Sequence, residues 1–128
     1  MKTAILLLGH GSRAAGANDT LSAIASLVKA ETGAAFVEVA FLPPHTPGIE
    51  AGIDRCVALG AARILLSPYF LYAGAHVLQD LPEQVEQARM RHPGLEMILG
   101  EPLGVHPKLA EIVRERIDAA LQMVGWSL

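Results

Sequence analysis

Ala4-Ile5-Leu6-Leu7-Leu8, an uninterrupted apolar run, passes directly into Gly9-His10-Gly11-Ser12-Arg13. A short run with no polar alternation, stopped by glycine, has the character of a strand buried on both faces, the kind found in parallel sheets. Phe36 to Leu42 repeats the pattern, and so does Ala62 to Leu66 leading into Tyr69. Leu95 to Leu99 (Leu-Glu-Met-Ile-Leu) alternates instead, which suits an edge strand. Between these runs the apolar period becomes helical. Leu21, Ile24, Leu27 and Val28 form one stripe, and Ile49, Ile53, Cys56 and Val57 a second. Leu109, Ile112, Val113, Ile117, Ala120, Leu121 and Val124 form a long last one.

Turn residues support this division. Gly33 and Gly60 stand where helices should end. Thr46-Pro47 and His106-Pro107 each offer a cap followed by proline at the first helical position, where a missing N–H costs nothing. Pro82 falls within the apolar pattern Leu78 to Arg91, and Asp80 as N-cap would put it in the first turn. Pro93 ends that segment. Gly52 is expected to allow close packing and Gly74 a loop bend. Alternating strand and helix predicts a three-layer α/β/α, flavodoxin-like fold around a four-stranded, mostly parallel sheet of order 2-1-3-4. One domain is expected over residues 1–128. Ligands of such sheets bind beyond the carboxyl ends of the strands at the switch point, here between strands one and three.

Composition narrows the function. Of 128 residues 52% are hydrophobic and 18% charged, which argues against disorder. The net charge is −3, and the ten Lys and Arg residues are scattered, so no nucleic-acid partner is expected. No apolar run approaches the ~18 residues needed to cross a bilayer, and the first run lacks a small-residue cleavage pattern. A protein of the cytoplasm, with no membrane partner, is expected. The single cysteine, Cys56, gives no CxxC motif and sits in an apolar helical stretch as a core residue.

The carboxyl ends hold the chemistry. Strand one is followed by Gly9-His10-Gly11-Ser12-Arg13, strand two by Pro43-Pro44-His45-Thr46-Pro47, and strand three by Tyr69-Phe70-Leu71-Tyr72-Ala73-Gly74-Ala75-His76. Three of the five histidines thus fall on loops that the sheet order makes neighbours, and imidazole is the usual ligand of borderline divalent metals. His92 and His106 read as structural, the latter as a helix cap. Tyr69, Phe70 and Tyr72, three of the six aromatic residues, could wall a pocket for a flat ligand. Gly9 to Ser12 could alternatively cradle a small anion on backbone N–H groups. No Walker lysine or dinucleotide spacing accompanies them, and no arginine precedes His10 as a histidine phosphatase would require.

In order along the chain stand Leu-Leu-Gly-His-Gly-Ser-Arg (7–13), Val-Glu-Val-Ala-Phe (37–41) and Gly-Ala-Ala-Arg-Ile through Pro-Tyr-Phe-Leu (60–71). Gly-Ala-His-Val (74–77) with Asp80-Leu81-Pro82, His92-Pro93 and Glu-Pro-Leu-Gly-Val-His-Pro (101–107) complete the set. Each motif alone is weak, but the ordered set resembles the short, CbiX-type sirohydrochlorin chelatases over nearly the whole chain. The resemblance implies a chelatase-like fold, equivalent to half of a two-domain ferrochelatase, and a homodimer. It implies a lyase of cobalamin or siroheme biosynthesis with no permanently bound cofactor. Its substrates would be a tetrapyrrole and a divalent metal, with Co2+ favoured over Fe2+ or Ni2+.

The family's metal-site histidines map onto His10 and His76, which are therefore the expected catalytic residues. Many relatives carry a glutamate shortly after the Ala-Phe motif. Here Pro43 stands in that place, and His45, two residues on, becomes the candidate third ligand. Gly11, Ser12, Arg13, Tyr69, Phe70 and Tyr72 are the expected substrate contacts. The alternative reading is a carrier of metal or tetrapyrrole that kept the fold without turnover.

Overall fold

The computed structural model describes residues 2–128, except for the side chain of His76. Strand β1 (Thr3–Gly9) lies between β2 (Phe36–Phe41) and β3 (Arg63–Pro68), and β4 (Glu96–Leu99) forms one edge of the sheet. All three pairings are parallel and the order is β2-β1-β3-β4, as the sequence predicts. Ala4 pairs with Phe36 on one side and with Ile64 on the other, so β1 is hydrogen-bonded along both edges.

Side chains alternate across a strand, and β1 shows why its run can be apolar throughout. Ala4, Leu6 and Leu8 point into the larger core, against α2 (Ile49–Ala58) and α3 (Ala75–Arg91). Leu7, with Ile5 beside it, faces the smaller core under α1 (Asp19–Thr32). The apolar stripe of α2 is buried as expected at Ile49, Ile53 and Cys56, whereas Leu27 of the α1 stripe is exposed. Gly33 closes α1 in the left-handed conformation, at φ 71°.

The structure corrects several boundaries. Helix α2 begins at Ile49 with Gly48 as its cap, so Thr46-Pro47 lies upstream in the loop. Helix α3 begins at Ala75, not after Asp80, and Pro82 sits in its interior. The stripe Val77, Leu81, Val85 and Ala88 runs unbroken past the proline and packs on the larger core. Leu78, whose carbonyl loses its helical donor to Pro82, is exposed along with the proline, so water can replace that donor. Gly74, the residue before α3, has φ −66°, and an added Cβ would meet nothing within 4 Å, so no bend requires glycine there. The largest departure concerns α4 (Pro107–Val124): none of its described residues is buried.

Gly52 behaves as the sequence predicts. A Cβ there would stand 2.9 Å from the Ala40 Cβ and 3.0 Å from Leu6 Cδ1, so α2 rides directly on the sheet. Gly52→Ala gains ~1 kcal/mol of helix propensity but overpacks a filled core at a cost of about 1–3 kcal/mol. The net expectation is a lower melting temperature, by the equivalent of up to about 2 kcal/mol, measured by thermal denaturation.

An ion-pair cluster ties the end of α3 to α2. Arg91 contacts Glu50 and, at 2.6 Å, Asp54, while His92 Nε2 lies 2.7 Å from the same Asp54 oxygen. The hydrogen bond with His92, followed by that with Arg91, holds the Asp54 carboxyl below the ordinary value of 3.8. A depressed carboxyl adds stability above its unfolded pKa and loses it as pH falls through the folded value. Asp54→Asn should therefore melt below the wild type at about pH 6, and the gap should begin to narrow as the pH falls below about 4, closing only below the depressed folded value. Melts across that range check the sign.

Candidate functional site

Backbone hydrogen bonds build one rim from three loops. At the carboxyl end of β1, the Leu8 carbonyl accepts from Tyr69 N–H at 2.7 Å, and the Gly9 carbonyl accepts from Leu42 N–H at 2.9 Å. The loops following β2 and β3 therefore leave the sheet on either side of His10. The β2 loop then folds back on itself. Phe41 N–H donates to the Pro47 carbonyl at 2.8 Å, and His45 N–H to the Leu42 carbonyl at 3.1 Å. The Pro43–Pro44 and Thr46–Pro47 peptide bonds are cis.

This folding sets His45 against the β1 loop. Gly11 has φ 81°, a conformation that favours glycine, and an added Cβ would lie 2.5 Å from His45 Cγ and Cδ2. The imidazole of His45 thus rests on the Gly11 backbone, one residue from His10. The His10 side chain is exposed, and its ring lies 4.7 Å from the buried Phe70 ring at an interplanar angle of 41°. His76 is the second residue of α3, in the helix's first turn rather than in the loop that the sequence suggests. Its side chain lies outside the described residues. Among the described residues, no three His, Cys, Asp or Glu side chains group closely enough to hold a metal ion.

The expected substrate contacts divide by burial. Phe70 belongs to the larger core and reaches the rim only through the His10 ring. Tyr69 is partly exposed and Tyr72 is 77% exposed, so both remain accessible at the rim. Arg13 is exposed. The Gly9–Ser12 segment does not present an open row of donors. Ser12 N–H donates to Asn18 Oδ1 at 2.9 Å, and Asn18 Nδ2 donates to the Ser12 carbonyl at 3.2 Å. Asn18 thereby closes the loop, and turns at Ala14–Ala17 and Gly16–Asp19 separate it from the body of α1. This weakens the anion-cradle alternative. Asn18 escaped the sequence reading because its partner lies six residues away, outside any common capping spacing.

The other candidates are structural. His106 caps α4 as predicted, its Nδ1 accepting from Lys108 N–H at 3.1 Å. His92 is engaged with Asp54. Cys56 is fully buried, and loss of solvation, aided by Glu38, pushes its thiol up to about 11, so it offers no thiolate at neutral pH.

The parallel α/β sheet, with histidines and exposed tyrosines on the loops at the carboxyl end of its central strands, is the fold of solved chelatases. The chain belongs to the CbiX family, whose model matches residues 4–120. It is 37% identical over 120 residues to the sirohydrochlorin cobaltochelatase of Priestia megaterium, covering 94% of this chain and 39% of that relative. It is 30% identical over 135 residues to the sirohydrochlorin cobaltochelatase of Methanothermobacter thermautotrophicus, with 94% of both chains covered. Its fold matches that of the sirohydrochlorin chelatase SirB from Bacillus subtilis subspecies spizizenii, solved in complex with cobalt. There the TM-score is 0.84 at 35% identity, covering 93% of this chain and 51% of that one. The chain therefore spans less than half of its Priestia relative and nearly the full length of the archaeal one.

Gly11→Ala tests the contact between the two loops. The positive φ alone should cost about 1–2 kcal/mol in thermal stability. The added methyl should also displace His45, so its imidazole resonances should shift by more than those of His92 and His106.

Proposed function

We propose that this chain inserts a divalent metal, cobalt by preference, into sirohydrochlorin or a closely related tetrapyrrole. Residues 1–128 would act as one chelatase-like domain of a cytoplasmic enzyme that works as a pair of identical copies. Iron or nickel would be the alternative metals. The observation that carries this reading is the rim itself: His10 at the end of the central strand, with the His45 loop packed on Gly11 beside it. The cobaltochelatase names of the family relatives supply the substrate class.

Insertion replaces two pyrrole N–H bonds by metal–nitrogen bonds, so the metal must shed water and two protons must leave. Neutral imidazoles at His10 and His76 hold the incoming metal with coordination positions left for the ring nitrogens. His45 serves as third ligand or as proton acceptor, in place of the carboxylate that Pro43 cannot provide. Tyr69 and Tyr72 offer aromatic surface to the macrocycle, and Phe70 backs the His10 ring. The substrate's carboxylates meet Arg13 and the Gly11–Ser12 segment. The Ser12 N–H is already given to Asn18, so Arg13 carries most of that attraction.

Cobalt insertion into sirohydrochlorin is followed by the change in visible absorbance. Alanine at His10 or at His76 should slow it by about 100-fold or more. Alanine at His45 should slow it as well, with the loss depending on pH if His45 accepts the proton. Wild-type rates in both the His10 and His76 variants would overturn the assignment. Binding of cobalt and macrocycle with no acceleration over the spontaneous reaction would instead identify a carrier.

A further inference from the structure

Asn18 stands at the start of α1 but serves the rim. It occupies the N-cap position, where an asparagine oxygen ordinarily accepts from a backbone N–H of the helix's own first turn. Here its backbone is already helical, at φ −74° and ψ −17°, and its side chain makes no capping hydrogen bond. The half-buried carboxamide turns back to Ser12 instead. Its oxygen accepts from the Ser12 N–H at 2.9 Å, and its nitrogen donates to the Ser12 carbonyl at 3.2 Å. A carboxamide carries an acceptor and a donor side by side, and the main chain of Ser12 offers the complement of both.

This clasp fixes the direction in which Arg13 leaves the loop. The Ser12 N–H belongs to the peptide group before Ser12, and the Ser12 carbonyl to the peptide group that leads into Arg13. A peptide group is planar, so holding the carbonyl holds the plane from which Arg13 departs. On the far side of Arg13, the Ala14 N–H donates to Ser12 Oγ at 3.1 Å and closes a turn around the arginine. Arg13 itself is exposed. The His10 end of the loop has a separate support, because Gly11 rests against the His45 imidazole. Asn18 and His45 therefore hold different halves of the loop, one beside the cation and one beside the candidate metal ligand.

We propose that Asn18 is a positioning residue for the macrocycle: by clasping Ser12 it aims Arg13 at a carboxylate of the tetrapyrrole. This deepens the function proposed above and rests on that reading. An arginine whose backbone is already set loses less freedom when it meets its carboxylate, so the effect of the clasp falls on tetrapyrrole affinity. Handling of the metal depends on the other half of the loop and is left alone. Alanine at position 18 removes both halves of the clasp. Aspartate keeps the size and the acceptor but turns an oxygen toward the Ser12 carbonyl, so it opens the half that leads into Arg13.

Binding of sirohydrochlorin without metal, followed by visible absorbance on the full chain, tests the clasp. Asn18→Ala should weaken it about tenfold, the loss of one hydrogen bond to a charged group. Asn18→Asp should weaken it too. In an Arg13→Ala background, Asn18→Ala should add less than about twofold, because the side chain it places is gone. In cobalt insertion, Asn18→Ala should raise the KM for sirohydrochlorin and leave that for cobalt within about twofold. Circular dichroism should show α1 intact, since the Asn18 side chain caps nothing there. Exchange of the Ser12 amide proton should quicken once its acceptor is removed. Equal binding by the wild type and Asn18→Ala would overturn the proposal. Full additivity with Arg13→Ala would also overturn it, as would a KM for cobalt that rises as far as that for sirohydrochlorin. A wild type that binds no sirohydrochlorin would overturn the tetrapyrrole reading, and this proposal with it.

Discussion

Every backbone polar group of β1 must find a partner on both sides, because the strand is buried between β2 and β3 and water cannot serve. That requirement persists to the strand's last residues. The Leu8 and Gly9 carbonyls take their hydrogen bonds from Tyr69 and Leu42, the first residues past β3 and β2 respectively. The loops are thus drawn together by main-chain pairing, whatever their side chains are. Once Tyr69 and Leu42 are fixed, the His45 and Tyr72 segments can only emerge beside His10. Convergence at this rim follows from a parallel sheet with a central first strand, and the histidines occupy positions that the ladder had already made adjacent.

The same pairing explains what could be read from the sequence. A strand buried on both faces leaves an unbroken apolar run, so β1, β2 and β3 were legible, and with them the order 2-1-3-4 and the loops that form the rim. The α2 stripe was legible because Gly52 and Ile53 alike are pressed onto the sheet. The start of α3 was not, because Pro82 dominates a local reading. Only the tertiary packing of Val77 and Leu81 against the core shows that the helix crosses it. The engagement of Ser12 by Asn18 was likewise hidden, since it depends on how the segment between them turns.

Some residues read alike in sequence yet serve different ends. The five histidines illustrate this. His106 next to a proline at a helix start was recognisable as a cap, because capping is a local geometry. His92 gave no sign of its pairing with Asp54, which lies 38 residues earlier and is brought close only by the packing of α3 on α2. For His10 and His45 the sequence supplied the neighbourhood, and the structure added the contact through Gly11. A glycine at φ 81° beneath an imidazole is a constraint no single-residue propensity reveals.

Helix α4 marks the limit of reading periodicity as burial. Its stripe is as regular as that of α2, and both predict an apolar environment on one side. In α2 that environment is its own sheet, because Gly48 and Ile49 follow β2 closely and the bridge between Phe41 and Gly48 turns the chain back. In α4 the connection after β4 is held on the β3–α3 loop, and none of the helix's described residues is buried. Hydrophobic spacing marks one face of a helix as apolar, while the connection decides whether the chain's own sheet lies against that face.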